Sequence, residues 1–154
     1  MKTVFTILFF AVMMSPNKAS AQDLTFDETI EYLNTKIINE FIVYERVKAF
    51  TDGRFTAELS SNPSFTGITT YNCDLKGVTI DGVVESGPRE IGPYKVYMDC
   101  INPDCVTIVF SNNGGIKRIE GHTFYFNSKE NAMKFQKALK YLKSIMLKQK
   151  DPFD

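Results

Sequence analysis

The sequence predicts an α+β domain in which an antiparallel meander of about seven strands lies between an N-terminal helix and a long C-terminal helix. Three observations carry this. Apolar residues near the start recur at helical spacing. From Phe41 to Phe126 the chain breaks into short β-branched and aromatic segments cut by turn residues. From Lys129 onward, lysines and apolar residues separate onto two faces of one helix.

The first segment is expected to be removed before the domain works. Lys2 supplies a positive start, Val4–Met14 is an uncharged apolar run, and Ala19-Ser20-Ala21 has the small-x-small pattern of a signal-peptidase site. A membrane-spanning helix needs roughly 20 apolar residues, more than this run offers. Residues 1–21 therefore read as a signal peptide and 22–154 as a single domain, secreted or periplasmic and not transmembrane after cleavage. No cysteine follows the expected cut, so a lipid anchor is not expected there. The one near-match to a glycosylation site, Asn62-Pro63-Ser64, has proline in the forbidden place, which leans towards bacterial export.

Thr25-Phe26-Asp27-Glu28 reads as a capping box, in which the Thr25 hydroxyl and the Glu28 carboxylate satisfy amide donors at a helix start. Phe26, Ile30, Leu33 and Ile37 then form one apolar stripe over about four turns. Asp23, Asp27, Glu28 and Glu31 crowd the first half, where the helix dipole favours negative charge.

Strands follow. Thr51-Asp52-Gly53 joins Phe41–Phe50 to Arg54–Ser60, where Phe55, Ala57 and Leu59 alternate with Arg54, Thr56 and Glu58. Tyr71, Cys73 and Leu75 alternate with polar neighbours. Asp81-Gly82 predicts a tight turn, and Glu85–Pro93, with two Gly-Pro pairs, a loop. Tyr94–Cys100, Cys105–Phe110 and Ile116–Phe126 complete the set, the last two separated by the hairpin signal Asn112-Asn113-Gly114-Gly115.

The closing helix starts near Asn127-Ser128-Lys129-Glu130 and runs to about Gln149. On a wheel of about 100° per residue, Ala132, Phe135, Ala138, Leu139, Leu142, Ile145 and Met146 share one arc. Lys129, Lys134, Lys137, Lys140, Lys143 and Lys148 fall opposite. Phe135, Leu139 and Leu142 are expected to carry much of the stability.

A long amphipathic helix after about seven antiparallel strands is the layout of a pleckstrin-homology-like (PH-like) domain, a partly open barrel with the last helix plugging one end. The chain also resembles a family of small, exported, uncharacterised proteins of Bacteroidetes-type bacteria. The residues that carry the resemblance are the signal segment, Phe26 to Ile37 (FDETIEYLNTKI), Cys100-x4-Cys105, and Phe124-x-Phe126-Asn127-Ser128 leading into Ala138-Leu139-Lys140-Tyr141-Leu142. The resemblance implies the fold and the exported address, and brings no catalytic residues with it.

Thirteen Phe and seven Tyr, with no Trp, supply bulky core material. Eighteen basic residues balance eighteen acidic ones, and loss of Lys2 and Lys18 with the signal leaves a slight acidic excess. That excludes the global basic surplus of a typical nucleic-acid binder. Three cysteines cannot all pair within one chain. Asn102-Pro103-Asp104 between Cys100 and Cys105 forms turns, and a four-residue hairpin loop would place the two cysteines within disulfide reach. A Cys100–Cys105 bridge is therefore expected, leaving Cys73 reduced and packed as a small apolar residue. In that hairpin Met98 would face Thr107, Val96 would face Val109, and Tyr97 would meet Ile108.

Catalytic chemistry finds little to stand on. His122 is the only histidine, and no motif places an orienting carboxylate or a nucleophile beside it. Asp74, Asp81, Asp99, Asp104 and Glu120 sit at strand ends and turns, where aspartate serves local backbone bonds, and no pair is singled out by spacing. The Cys100/Cys105 spacing suits zinc but lacks a second ligand pair, no calcium loop is present, and no cofactor motif is found. The glycine-rich hairpin lacks the lysine of a phosphate loop. The best functional candidate is the lysine face of the last helix, with Lys134, Lys137, Lys140 and Lys148 offered to an anionic lipid, lipopolysaccharide or an acidic protein. The same pattern also describes any solvated surface helix.

The preferred reading is an exported, non-enzymatic binding domain of unknown ligand. The alternatives are an enzyme or enzyme inhibitor with a site built from loop residues such as Glu85–Pro93, and a structural subunit of an envelope assembly. A pocket with convergent polar groups would favour the enzyme; a broad apolar patch would favour the others.

Overall fold

The computed structural model describes residues 25–37, 41–60, 62–88, 90–111 and 114–148. The signal-peptide segment, Asn112-Asn113 and Gln149 lie outside the described residues. Helix α1 (Phe26–Glu31) is followed by β1 (Tyr44–Ala49), β2 (Arg54–Ser60), β3 (Thr69–Asp74), β4 (Val78–Glu85), β5 (Tyr94–Cys100), β6 (Val106–Phe110), β7 (Ile116–Ile119), β8 (Gly121–Phe126) and helix α2 (Lys129–Lys148). The α+β class therefore holds, with one more strand than the sequence count.

The strands form two antiparallel sheets, ordered β1-β2-β3-β6-β7 and β4-β5-β8, and the described residues form no closed barrel. The chain passes between the sheets three times: through a 3-10 turn at Leu75–Gly77, through the loop from Cys100 to Cys105, and at Glu120. The three crossings meet at one corner, where the Ile101 N–H donates to Gly77 O (3.0 Å) and the Cys100 N–H to Glu120 O (2.6 Å).

This arrangement corrects several expectations. Ile116–Phe126 is two strands in different sheets. Asp81-Gly82 is a β-bulge inside β4, marked by a register shift between Ile80 and Val83, because the ladder to β5 resumes beyond it. β5 and β6 do not pair: β5 lies between β4 and β8, with Met98 opposite His122 and Val96 opposite Phe124. β6 pairs with β3 and β7. The physical reason is that Val96 and Met98 face the core from one sheet while Val106 and Ile108 face it from the other; all four are buried. A single hairpin would set them side by side.

The capping box at Thr25 forms in both directions. The helix it starts is shorter than four turns, because after Glu31 it widens into a π-helical stretch, Tyr32–Lys36. Leu33 and Ile37 are nonetheless fully buried. The first hairpin turns at Gly53, whose φ of 91° suits a residue without a side chain.

The core lies between the inner face of the five-stranded sheet and a layer made by the three-stranded sheet and α2. Phe135 of α2 is its hub, with ring centroids 5.5 Å from Phe41, 4.7 Å from Phe124 and 5.3 Å from Phe126. Ala132, Ala138, Leu139, Leu142 and Met146 are buried beside it, while Ile145 is only partly so. Lys143 departs from the expected wet face: it is half-buried and donates to Val78 O.

Sheet edges are potential templates for unwanted pairing, and each is dealt with differently. Lys143 and Gln136 donate to the β4 carbonyls of Val78 and Asp81. Phe41 bridges Phe126, and the Ile42 N–H donates to Tyr125 O (3.1 Å) along β8. At β1 the Asn34 side chain accepts from the Ala49 N–H (2.6 Å) and donates to Ala49 O (3.1 Å), as a neighbouring strand residue would. β7 is short and carries Lys117 and Arg118, both exposed.

Candidate functional site

Two features of this fold carry chemistry. The first is inside. Glu45 points from β1 into the core in phase with Val47 and Ala49, and its side chain is 1% exposed. His122 points inward from β8, and its Nε2 lies 2.6 Å from Glu45 Oε1. The pair therefore ties the five-stranded sheet to the three-stranded one. Tyr71 of β3 stacks on the imidazole with centroids 4.1 Å apart, and Phe124 meets it edge-on at 4.6 Å. Burial pushes the Glu45 carboxyl above its ordinary range, and the bond and charge of His122 oppose that rise. Burial, and then the Glu45 charge, push the Tyr71 phenol up as well. Sequence reasoning found no carboxylate for His122 because the partner stands 77 positions away. The available signal was an acid on the apolar face of a strand that otherwise alternates cleanly. With the His122 side chain only 9% exposed, the pair is a buried clasp with little room for a substrate.

The second feature is an open cleft of about 520 Å³ on the outer side of β1 and β2, lined by Asn34, Arg46, Val47, Lys48, Phe50, Thr56 and Glu58. Strand alternation places it there: with Glu45, Val47 and Ala49 turned inward, Arg46 and Lys48 face out, and the β1–β2 register sets Arg46 opposite Glu58 and Lys48 opposite Thr56. The Arg46 Nε donates to Glu58, and the guanidinium lies 4.4 Å from the Phe65 ring centre. Thr56 donates its single proton to Asn72 Oδ1 (3.0 Å). Asn34, bound to Ala49, keeps one amide proton in hand. Lys48 has no ion pair among the described residues; its Nζ sits 5.0 Å from the Phe50 ring centre. The cleft thus has one positive charge in surplus, donors on two sides and an aromatic wall.

The residues named from sequence fall elsewhere. Cys100 and Cys105 lie at disulfide distance, with sulfurs 2.15 Å and Cα atoms 5.5 Å apart, at the corner where the chain changes sheet. Cys73 is free and buried, its thiol pushed up to about 12 chiefly by burial. Native protein at pH 8 should therefore leave Cys73 unalkylated by iodoacetamide, and it should react only after denaturation. Peptide mapping without reductant should return Cys100 linked to Cys105, and a Cys73 adduct formed on the native protein, or a Cys73 bridge, would contradict this geometry.

On α2, Lys134 pairs with Glu130 (2.7 Å), and Lys137, Lys140 and Lys148 are exposed. The Asp74 side chain accepts from the Lys76 N–H (2.9 Å) at the 3-10 turn. Asp81 and Asp99 come together across β4 and β5; the Asp99 carboxyl is raised by burial and then by the charge and hydrogen bond of Asp81. Asp104 takes a left-handed conformation (φ 64°) in the corner loop, and Glu120 stands at the β7–β8 bend. In the Glu85–Pro93 segment, both oxygens of Glu90 bind Lys95 Nζ at 2.7 and 2.6 Å, which holds the Glu90 carboxyl down. No group of three or more His, Cys, Asp or Glu side chains among the described residues is placed to hold a metal ion. No described helix is long and apolar enough to cross a membrane.

These features define an α+β protein of two antiparallel sheets and a C-terminal helix, with an open, cation-lined cleft at one sheet edge. Comparison with known proteins finds no matching family model, no matching curated protein and no matching solved structure.

Proposed function

We propose that this chain is an exported, non-enzymatic binding module of the PH-like class, akin to the small exported proteins of Bacteroidetes-type bacteria, and that it takes a small anionic ligand in the β1–β2 cleft. The observation that carries the reading is the Lys48 ammonium beside Phe50, without an ion pair among the described residues, in a cleft where Arg46 is bound to Glu58, Thr56 donates to Asn72 and Asn34 is bound to Ala49 with one amide proton to spare. Such a site offers fixed donors and a charge for recognition, while its carboxylate is held by Arg46 and its hydroxyl by Asn72. Its volume is within the range of small-ligand clefts, roughly 300–1,000 Å³. Export is supported by the Lys2, Val4–Met14 and Ala19-Ser20-Ala21 segment.

The test is a screen of carboxylates, phosphates and neutral analogues by backbone NMR on the chain starting at Gln22. Anionic compounds should shift residues around Lys48 and Phe50, and Lys48→Glu should weaken binding by at least about tenfold, the loss of one charge-assisted hydrogen bond worth about 1.5–3 kcal/mol. Turnover of any compound would favour the enzyme alternative, and stable capture in a large envelope complex would favour the structural subunit. The absence of any cleft shift would sink the reading.

A further inference from the structure

Helix α2 has an outer face that neither the core nor the cleft uses. Lys129, Met133, Lys137, Lys140, Leu147 and Lys148 are all exposed, and at about 100° per residue they fall within an arc of about 100°. Met133 is 54% exposed and Leu147 61%, although the apolar side of the same helix is buried almost completely. The two lie about 21 Å apart along the axis at 1.5 Å per residue. Lys140 and Lys148 have no ion pair among the described residues; Glu130, at the edge of the same arc, is paired with Lys134, and Glu85 with Lys129 (3.9 Å).

We propose that this face docks flat on an anionic lipid surface, with Met133 and Leu147 entering the headgroup boundary and the flanking lysines meeting lipid phosphates. Apolar side chains set among lysines suit a bilayer interface. There the aliphatic stems lie along the apolar boundary while the ammonium groups stay with the headgroups. A protein partner would call for a different surface, since protein interfaces are depleted in lysine and anchored by aromatic residues and arginine. The centre of this face has neither. Tyr141, half-buried at the margin of the arc, is the type of residue enriched at membrane–water boundaries. Binding of this kind leaves the protein peripheral.

The experiment is co-sedimentation of the chain from Gln22, which contains every described residue, with vesicles of phosphatidylglycerol and phosphatidylethanolamine or of phosphatidylcholine alone. Binding should require the anionic lipid and weaken as salt is raised. At roughly fivefold per lysine, Lys140→Glu with Lys148→Glu should cost at least about 25-fold. Met133→Ser with Leu147→Ser should also weaken binding measurably while leaving the lysines in place. Equal binding to both vesicle types, or none, would overturn the proposal, as would indifference to either pair of substitutions. Retention on immobilised polyglutamate without vesicle binding would overturn it in favour of an acidic protein. Lys48→Glu, on a different element, should leave vesicle binding unchanged, so this surface and the cleft are judged separately.

Discussion

Replacing Phe135 with alanine is expected to cost about 3–5 kcal/mol, the largest effect of any single truncation in the core. Phe135 is fully buried and holds three other phenylalanines at ring-centroid distances between 4.7 and 5.5 Å. Removing it forfeits the transfer free energy of a whole ring and leaves a void among Phe41, which precedes β1, and Phe124 and Phe126 of β8. Neither segment can close the gap without disturbing a bridge or a ladder: Phe41 is bridged to Phe126, and Phe124 is paired with Val96. Against a whole-domain stability on the order of 5–15 kcal/mol, this substitution approaches unfolding. Lys140→Ala, five positions on and exposed, should change stability by less than about 0.5 kcal/mol. Urea denaturation of both variants decides the matter, and similar midpoints would show that α2 does not plug the core as described.

The second large effect concerns the clasp. His122→Ala should cost about 3–5 kcal/mol, because a carboxyl that is 1% exposed loses the imidazole it binds at 2.6 Å and is left buried without that partner. Replacing both members, Glu45→Leu with His122→Phe, should cost less than His122→Ala alone, since nothing polar is then stranded. Strict additivity of the two sites would exclude the coupling. A pH dependence follows from the raised Glu45 carboxyl. A group whose folded pKa lies above its unfolded value contributes stability that is complete below about 4.5 and is lost as pH rises through the folded value. Relative to Glu45→Gln, the wild-type chain should therefore become less stable as pH climbs above about 4.5, with His122 limiting the loss. A parallel pH profile for the two proteins would contradict a carboxyl raised by burial.

The clasp and the cleft share strand β1, on opposite faces. Alternation along Tyr44–Ala49 sends Glu45 into the core and sets Arg46 and Lys48 on the rim of the cleft. The cleft's floor is thus held from behind by the Glu45–His122 hydrogen bond to the other sheet, and from the side by Asn34, whose amide closes the β1 edge at Ala49. The wider π-helical turn that contains Asn34 departs from the plain helix expected of Phe26–Ile37, and such turns recur at functional sites.

Local pattern alone determined a large part of this protein: the Thr25–Glu28 cap, the positions of most strands, the helix face that buries Phe135, Leu139 and Leu142, and the inward phase of Cys73. Each depends on residues within one or two turns or one strand, where spacing dictates which side chains share a face. Tertiary structure alone decided which strands become neighbours. Val96 and Val106 look equally fit for one hairpin, yet they belong to opposite sheets, because each sheet must present an apolar face to the same core. The chain therefore changes sheet at Leu75–Gly77, between Cys100 and Cys105, and at Glu120. The cysteines consequently sit at a corner between sheets, away from any hairpin end. The meeting of Glu45 with His122 is of the same kind. Each residue is set by its own strand's alternation, but their 2.6 Å contact exists only because two sheets close over one interior.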